Sequence, residues 1–271
     1  MSRVCIVGMG WLGLQLAKKL KAAGHELLGT VTSKEKQQRL SQEFKKVIEL
    51  NINHYEDSEL VQLDNVDCYI FTIPPSAADN YGEDMMHLIA KLINISPSAK
   101  IIYTSSSSVY GSQPRTVTEE SETLPESNNG MEIVKIEQFL RDHFRERSSI
   151  LRLGGLVGKS RHPIKYLSGK SDLKKGKAPV NLVHAEDICD LVEHLIQKSI
   201  NSGIYNVCCP EHPIKEEYYT WAAKQLQLPL PNFNPFDSQL DKIVNCNAIK
   251  KINFEMNYKS PFDFPMLSQY E

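Results

Sequence analysis

A short apolar run, residues 4–7, leads directly into Gly8-Met9-Gly10-Trp11-Leu12-Gly13. An amphipathic pattern over residues 12–23 follows and stops at Gly24. A G-x-G-x-x-G set between a strand and a helix constrains the fold more than any other feature of the chain. Its first glycine permits a tight turn, the second lets a pyrophosphate approach the backbone, and the third packs helix on strand. The N–H groups and dipole at the start of such a helix favour an anion. The motif therefore predicts the first βαβ unit of a dinucleotide-binding sheet, with Gly8, Gly10, Trp11, Leu12 and Gly13 at the phosphates.

The same rhythm continues. Strands are expected at residues 26–31, 46–50, 67–73, 100–104 and 150–153, where apolar and β-branched residues cluster. Helical periodicity covers residues 34–44, 84–95 and 133–144, the last through Ile133, Ile136, Phe139, Leu140 and Phe144. Alternation of this kind is the signature of a doubly wound parallel sheet, an α/β Rossmann architecture. After Gly154-Gly155 a Gly-, Lys- and Ser-rich stretch, 161–179, leaves the sheet. A helix at 186–197 and a strand at 204–207 return to it. A last helix, 215–226, and a Pro/Asn-rich run, 228–235, make a small C-terminal substrate lobe. The expected domains are thus 1–158, returning at about 180–208, and a lobe of 159–179 with 209–271.

Composition excludes several classes. Hydrophobic residues make up 41% and charged residues 24%, with a formal net charge of −2, so neither nucleic acid nor a membrane surface is an expected partner. The cluster Lys174-Lys175-Gly176-Lys177 reads as a solvated loop. No apolar run approaches the roughly 20 residues of a membrane span. Met1-Ser2-Arg3 is expected to enter a strand directly, with no signal peptide expected. Six cysteines without Cys-x-x-Cys spacing suit a reduced, cytoplasmic protein, and eight histidines without ligand spacing give no metal site. A small-molecule substrate is expected, acting on a monomer or a homodimer.

Cofactor choice is read from the end of the second strand. NAD-binding sites place an acid about 20 residues past the glycines, to hold the ribose hydroxyls. Here that position reads Gly29-Thr30-Val31-Thr32-Ser33-Lys34, without an acid. Hydroxyls and an ammonium group at Thr32, Ser33 and Lys34 suit a 2′-phosphate, so NADP(H) is expected rather than NAD(H). Lys36 and Arg39 are further cations nearby. Ile73, Pro74 and Pro75 end the fourth strand and either line the cofactor cleft or simply stop the strand.

Further motifs follow in order: Thr104-Ser105-Ser106-Ser107-Ser108-Val109-Tyr110-Gly111, Lys135, Leu151-Arg152-Leu153-Gly154-Gly155-Leu156-Val157-Gly158, and Val180-Asn181-Leu182-Val183-His184-Ala185-Glu186-Asp187. With the glycine turn, they resemble the extended short-chain dehydrogenase/reductases, the NAD(P)-dependent epimerase/dehydratase family, in its atypical short branch. Lys242-Ile243-Val244-Asn245 and Pro261-Phe262-Asp263-Phe264 are similar to that branch as well. The glycine motif departs from the family's G-x-x-G-x-x-G, with Val7 at the first position. The resemblance implies that Ser106 hydrogen-bonds the reacting oxygen and that Lys135 holds the nicotinamide ribose. It also implies that Asn51 and Ile52 frame the adenine, that Leu153, Gly155 and Leu156 touch the nicotinamide, and that Asn80 or Tyr81 stands near a proton relay.

The family's catalytic tyrosine lies four residues before the lysine, and that position is Met131. A thioether has no proton to give. Ser107, Ser108, Tyr81, Tyr110 and Glu132 are conceivable substitutes. Tyr110 reads chiefly as structural, as does His184. Arg161-His162 is either an anion contact or a loop feature. The resemblance implies an NADP-dependent epimerase, dehydratase or reductase working by hydride transfer on a sugar-like or other small carbonyl or alcohol substrate. The alternative is a non-catalytic NADP(H)-binding sensor or partner-binding module.

Overall fold

The computed structural model describes residues 1–199 and 202–266. The final five residues of the expected lobe lie outside them. In chain order the elements are β1 (Arg3–Val7), α1 (Trp11–Ala22), β2 (Glu26–Val31), α2 (Lys34–Leu40), β3 (Lys46–Glu49), α3 (Asp57–Leu60), β4 (Cys68–Phe71), α4 (Tyr81–Ile95) and β5 (Lys100–Ser106). Then come β6 (Thr116–Val117), α5 (Asn128–His143), β7 (Ser148–Leu153), β8 (Gly155–Val157), α6 (Ile164–Leu167), β9 (Leu182–His184), α7 (Ala185–Gln197), β10 (Gly203–Val207), α8 (Lys215–Gln225) and β11 (Ile243–Val244).

Among the described residues the main sheet has seven strands, ordered β10-β7-β5-β4-β1-β2-β3. It is a parallel sheet: β1 pairs in parallel with β2 and β4, β2 with β3, and β4 with β5. Strand order reverses between β1 and β4, and ligands of such sheets bind at the carboxyl ends of the strands flanking that point. The strands are buried on both faces, as in β1 and β4, which explains their continuous apolar runs. Two small parallel pairs, β8 with β9 and β11 with β6, stand apart from the main sheet.

The chain divides into two compact units. Unit one is Met1–Ser105, Ser127–Leu151 and Leu191–Ile204; unit two is Ser106–Glu126, Arg152–Asp190 and Tyr205–Glu271. Unit two has its own apolar cluster, in which Tyr218, Tyr219, Ala222 and Ala223 of α8 pack against Ile164, Val180, Leu182 and Phe233.

Three helix bounds differ from the periodicity by more than one residue. The expected helix over residues 34–44 stops at Leu40, where the Glu43 and Phe44 amides turn back onto the Leu40 carbonyl. α5 begins five residues early because Ser127 caps it, accepting from the Gly130 amide at 3.1 Å. α4 begins at Tyr81 rather than 84. The four-residue helices α3 and α6 have no periodic signal to betray them.

Candidate cofactor and active site

The turn after β1 is built from backbone contacts that only glycine permits. Gly8 has φ +101°, a left-handed conformation that strains any L side chain. A Cβ on Gly13 would lie 2.3 Å from the Gly8 carbonyl oxygen, so α1 rests on the turn without room for a methyl group. Thr72, just past β4, closes the other side: its Oγ1 donates to the Gly8 carbonyl at 2.6 Å. The Gly8 amide donates to Thr30 Oγ1 at 2.9 Å. Gly10 faces open space, its would-be Cβ finding nothing nearer than the Gly8 oxygen at 4.0 Å. Among the described residues no side chain caps α1 and no acid occupies its first turn. An open glycine before an uncapped, acid-free helix start fits the pyrophosphate of a nicotinamide dinucleotide. Leu12 is buried against the core, and Trp11 is half-buried at the helix start.

Past β2, Thr32 and Lys34 are exposed and Ser33 is half-buried. Ser33 caps α2, accepting from the Lys36 amide at 3.4 Å. Lys36 and Arg39 are exposed on the same helix, with Glu35 as the acid of its first turn. Past β3, Asn51 is exposed in a bridge to His54, whereas Ile52 is buried. Past β4, Ile73 is half-buried beside Gly8 and Pro74 is exposed.

Helix α5 carries the acid/base question. Met131 is 43% exposed. One residue on, Glu132 Oε1 accepts from Lys135 Nζ at 2.6 Å, and its Oε2 accepts from the Gly82 amide at 3.0 Å. A Cβ at position 82 would sit 2.4 Å from that oxygen, so Gly82 is what lets the carboxylate reach the first turn of α4. The hydrogen bond from Lys135 holds the Glu132 carboxyl below the usual carboxylate range, and the same bond raises the Lys135 ammonium. Glu132 is therefore a fixed carboxylate, poor as a proton donor, and Lys135 is partnered although its side chain is 56% exposed. Sequence spacing contained this pair, since residues three apart share a helix face.

Of two further polar groups in unit one, Glu137 went unforeseen and Tyr81 was a candidate for the proton relay. Glu137 lies in the buried stripe of α5 and accepts from Ser105 Oγ at 2.5 Å. Tyr81 is buried, donates to the Ile73 carbonyl at 2.8 Å, and is pushed up to about 12 by burial. This tyrosine anchors the strand end and is ill-suited to move a proton.

In unit two, Ser106 closes β5 with its Oγ accepting from the Ser108 amide at 3.1 Å. Tyr110 is wholly buried: it donates to Asn206 Oδ1 at 2.7 Å and accepts from Arg152 Nη1 at 2.8 Å, with the guanidinium 4.9 Å from its ring. Burial raises its hydroxyl further, so its part is structural. Buried Leu153 and half-buried Leu156 follow Arg152 on the same stretch, with exposed Gly155 between them. His184 caps α7, its Nδ1 accepting from the Glu186 amide at 3.3 Å. His162 is buried rather than facing a cleft. Its Nδ1 accepts from the Ile164 amide, so Nε2 carries the proton toward Tyr218 Oη at 2.9 Å, and burial lowers the ring to about 4. Cys208 and Cys209 are buried and free, and burial pushes the Cys209 thiol up to about 12. So high a value leaves almost no thiolate for redox chemistry.

Residues 4–208 match the family model described as the NAD dependent epimerase/dehydratase family. The chain belongs to that family. It is 33% identical to Protein YeeZ of Escherichia coli strain K12 over 98% of this chain and all of the relative. Among solved structures, a functionally unknown conserved protein from Silicibacter pomeroyi superposes with a TM-score of 0.80 at 21% identity, covering 96% of this chain and 95% of that one. A heptose epimerase from Helicobacter pylori, ADP-L-glycero-D-manno-heptose-6-epimerase, superposes at 0.76 with 18% identity, covering 99% and 95%. The family match supports a nicotinamide cofactor. The family's acid/base tyrosine is absent from α5, and the structure fills its neighbourhood with the Glu132–Lys135 pair. Among the described residues no helix is long and apolar enough to cross a membrane.

Proposed function

We propose that this chain is an NADP(H)-dependent epimerase- or reductase-like enzyme acting on a sugar-like or other small carbonyl or alcohol substrate in the cytoplasm. The observation that carries the reading is the glycine turn, whose Gly10 faces open space before an acid-free helix start. Gly8, Gly10 and Gly13 with the start of α1 hold the pyrophosphate; Thr32, Ser33 and Lys34 hold the 2′-phosphate. Asn51 and Ile52 frame the adenine, Ile73 and Pro74 border the remainder, and Lys135 takes the ribose. When bound, the nicotinamide supplies hydride transfer. Ser106 orients the reacting oxygen, and water replaces the missing tyrosine. A lost general acid costs a factor of about 10² to 10⁴, not all catalysis.

Met131 and the Glu132–Lys135 pair favour a second reading, a non-catalytic NADP(H) sensor, because the lysine charge that would activate a tyrosine is neutralised. A panel of carbonyl and sugar-nucleotide substrates with NADPH decides between them. The enzyme reading expects turnover that Ser106→Ala abolishes while NADPH affinity stays unchanged. No turnover across the panel, and none gained by Met131→Tyr, would hand the site to the sensor.

A further inference from the structure

Unit two contains a groove of about 340 Å³ with an apolar floor and a cationic end. Pro163, Leu167, Leu173, Tyr219 and Phe233 line it, and Lys215, first residue of α8, stands in its wall. Gly176 makes the floor possible: a Cβ there would come within 3.0 Å of Phe233. Tyr166, 74% exposed, stands at the rim with Lys174.

Among the described residues the Lys215 ammonium is under-partnered. Its side chain is only 26% exposed, and the nearest counter-charge, Asp241 Oδ2, is 3.8 Å away, beyond hydrogen-bond distance. That oxygen is already taken by Lys175 at 3.1 Å, and Lys242 approaches the other at 3.8 Å. Three ammonium groups thus share one carboxylate, with Glu126 the further acid acting on Lys242. Residues 159–177 add to the imbalance, with seven Lys or Arg against one Asp in a chain whose net charge is −2. Burial lowers the Lys215 pKa, in keeping with donors that lack an acceptor.

We propose that this groove binds an amphipathic small anion: an apolar or aromatic body against Leu167, Leu173, Tyr219 and Phe233, with a carboxylate, sulfonate or phosphate on Lys215. A charge-assisted hydrogen bond to the ammonium replaces the acceptor it lacks. The apolar walls select against a polyhydroxylated body, whose hydroxyls would be buried there without partners. The volume falls inside the range of about 300–1,000 Å³ usual for small-molecule sites. The site lies wholly within unit two and does not depend on the NADP(H) reading.

Two probes of similar shape test it on the full chain: the anion 8-anilinonaphthalene-1-sulfonate and its neutral analogue N-phenyl-1-naphthylamine, each titrated by fluorescence. The anion should saturate at one site about tenfold more tightly than the neutral probe. Lys215→Gln should remove about that tenfold preference and leave the neutral probe's affinity unchanged. Lys174→Glu, an exposed rim change that preserves folding, should weaken the anion several-fold, while Lys250→Gln should do nothing. NADPH affinity should be unchanged in all three variants. Equal affinity for the two probes, unsaturable anion binding, or an anion affinity indifferent to both Lys215→Gln and Lys174→Glu would overturn the proposal.

Discussion

The turn after β1 and the first turns of α5 both belong to the family's functional core, yet this chain treats them oppositely. In the turn, two glycines meet a steric demand, φ +101° at Gly8 and a 2.3 Å approach at Gly13, while Gly10 faces open space. On α5 the family tyrosine is a half-exposed methionine, and the lysine is bound to a neighbouring glutamate. In the proposed reading, cofactor binding rests on backbone geometry that several residues enforce together. Acid/base chemistry rests on one side chain, so a single substitution removes it without disturbing the fold.

The largest effect is expected where the backbone leaves no room. Gly13→Ala forces its methyl group into the Gly8 carbonyl, and should abolish detectable NADPH binding or folding, read by fluorescence titration beside circular dichroism. Next comes Met131→Tyr. If α5 is otherwise competent, turnover should rise by at least about tenfold, within the span of 10² to 10⁴ that a general acid supplies. A null result would mean that the Glu132–Lys135 pair, not the methionine, is what separates the two regions. Lys34→Glu should shift the NADPH-to-NADH affinity ratio about tenfold toward NADH, by repelling a 2′-phosphate. Glu132→Gln, which keeps a hydrogen bond to Gly82 but frees Lys135, should change NADPH affinity only a few-fold, upward.

Two carboxylates extend the contrast to pH. Glu132 is lowered by Lys135, so its pairing is present above the ordinary carboxylate range and is lost as pH falls. Asp187 is buried, accepts from the Asn257 amide at 2.6 Å, and is raised by burial from 3.8 to about 6. Its stabilising contribution is therefore complete below the unfolded value of 3.8 and disappears as pH climbs through about 6. Asp187→Asn keeps the acceptor without the charge. It should unfold at a higher temperature than the parent at pH 8, with the gap closing by pH 5, in thermal melts at both values.

The strands and the glycine turn were legible because a parallel sheet buried on both faces needs uninterrupted apolar runs, and the turn needs glycines at fixed spacing. Helix starts were less so. Ser127-Asn128-Asn129-Gly130 has loop composition, and only the hydroxyl's bond to the Gly130 amide turns it into a cap. Glu137 was hidden for another reason: a glutamate on a helix ordinarily reads as solvated, and nothing local announces that Ser105 waits across the core. The Lys215 groove is assembled from segments far apart in sequence, so no local pattern carries it.

The most direct test of the account is a fluorescence titration of the unmodified protein with NADPH and NADH at physiological salt. The account predicts saturable binding of both, with NADPH tighter by about tenfold, the worth of one 2′-phosphate contact to Lys34. Failure of either dinucleotide to bind would contradict the reading of the glycine turn, and tighter NADH binding would contradict the assignment of Thr32, Ser33 and Lys34.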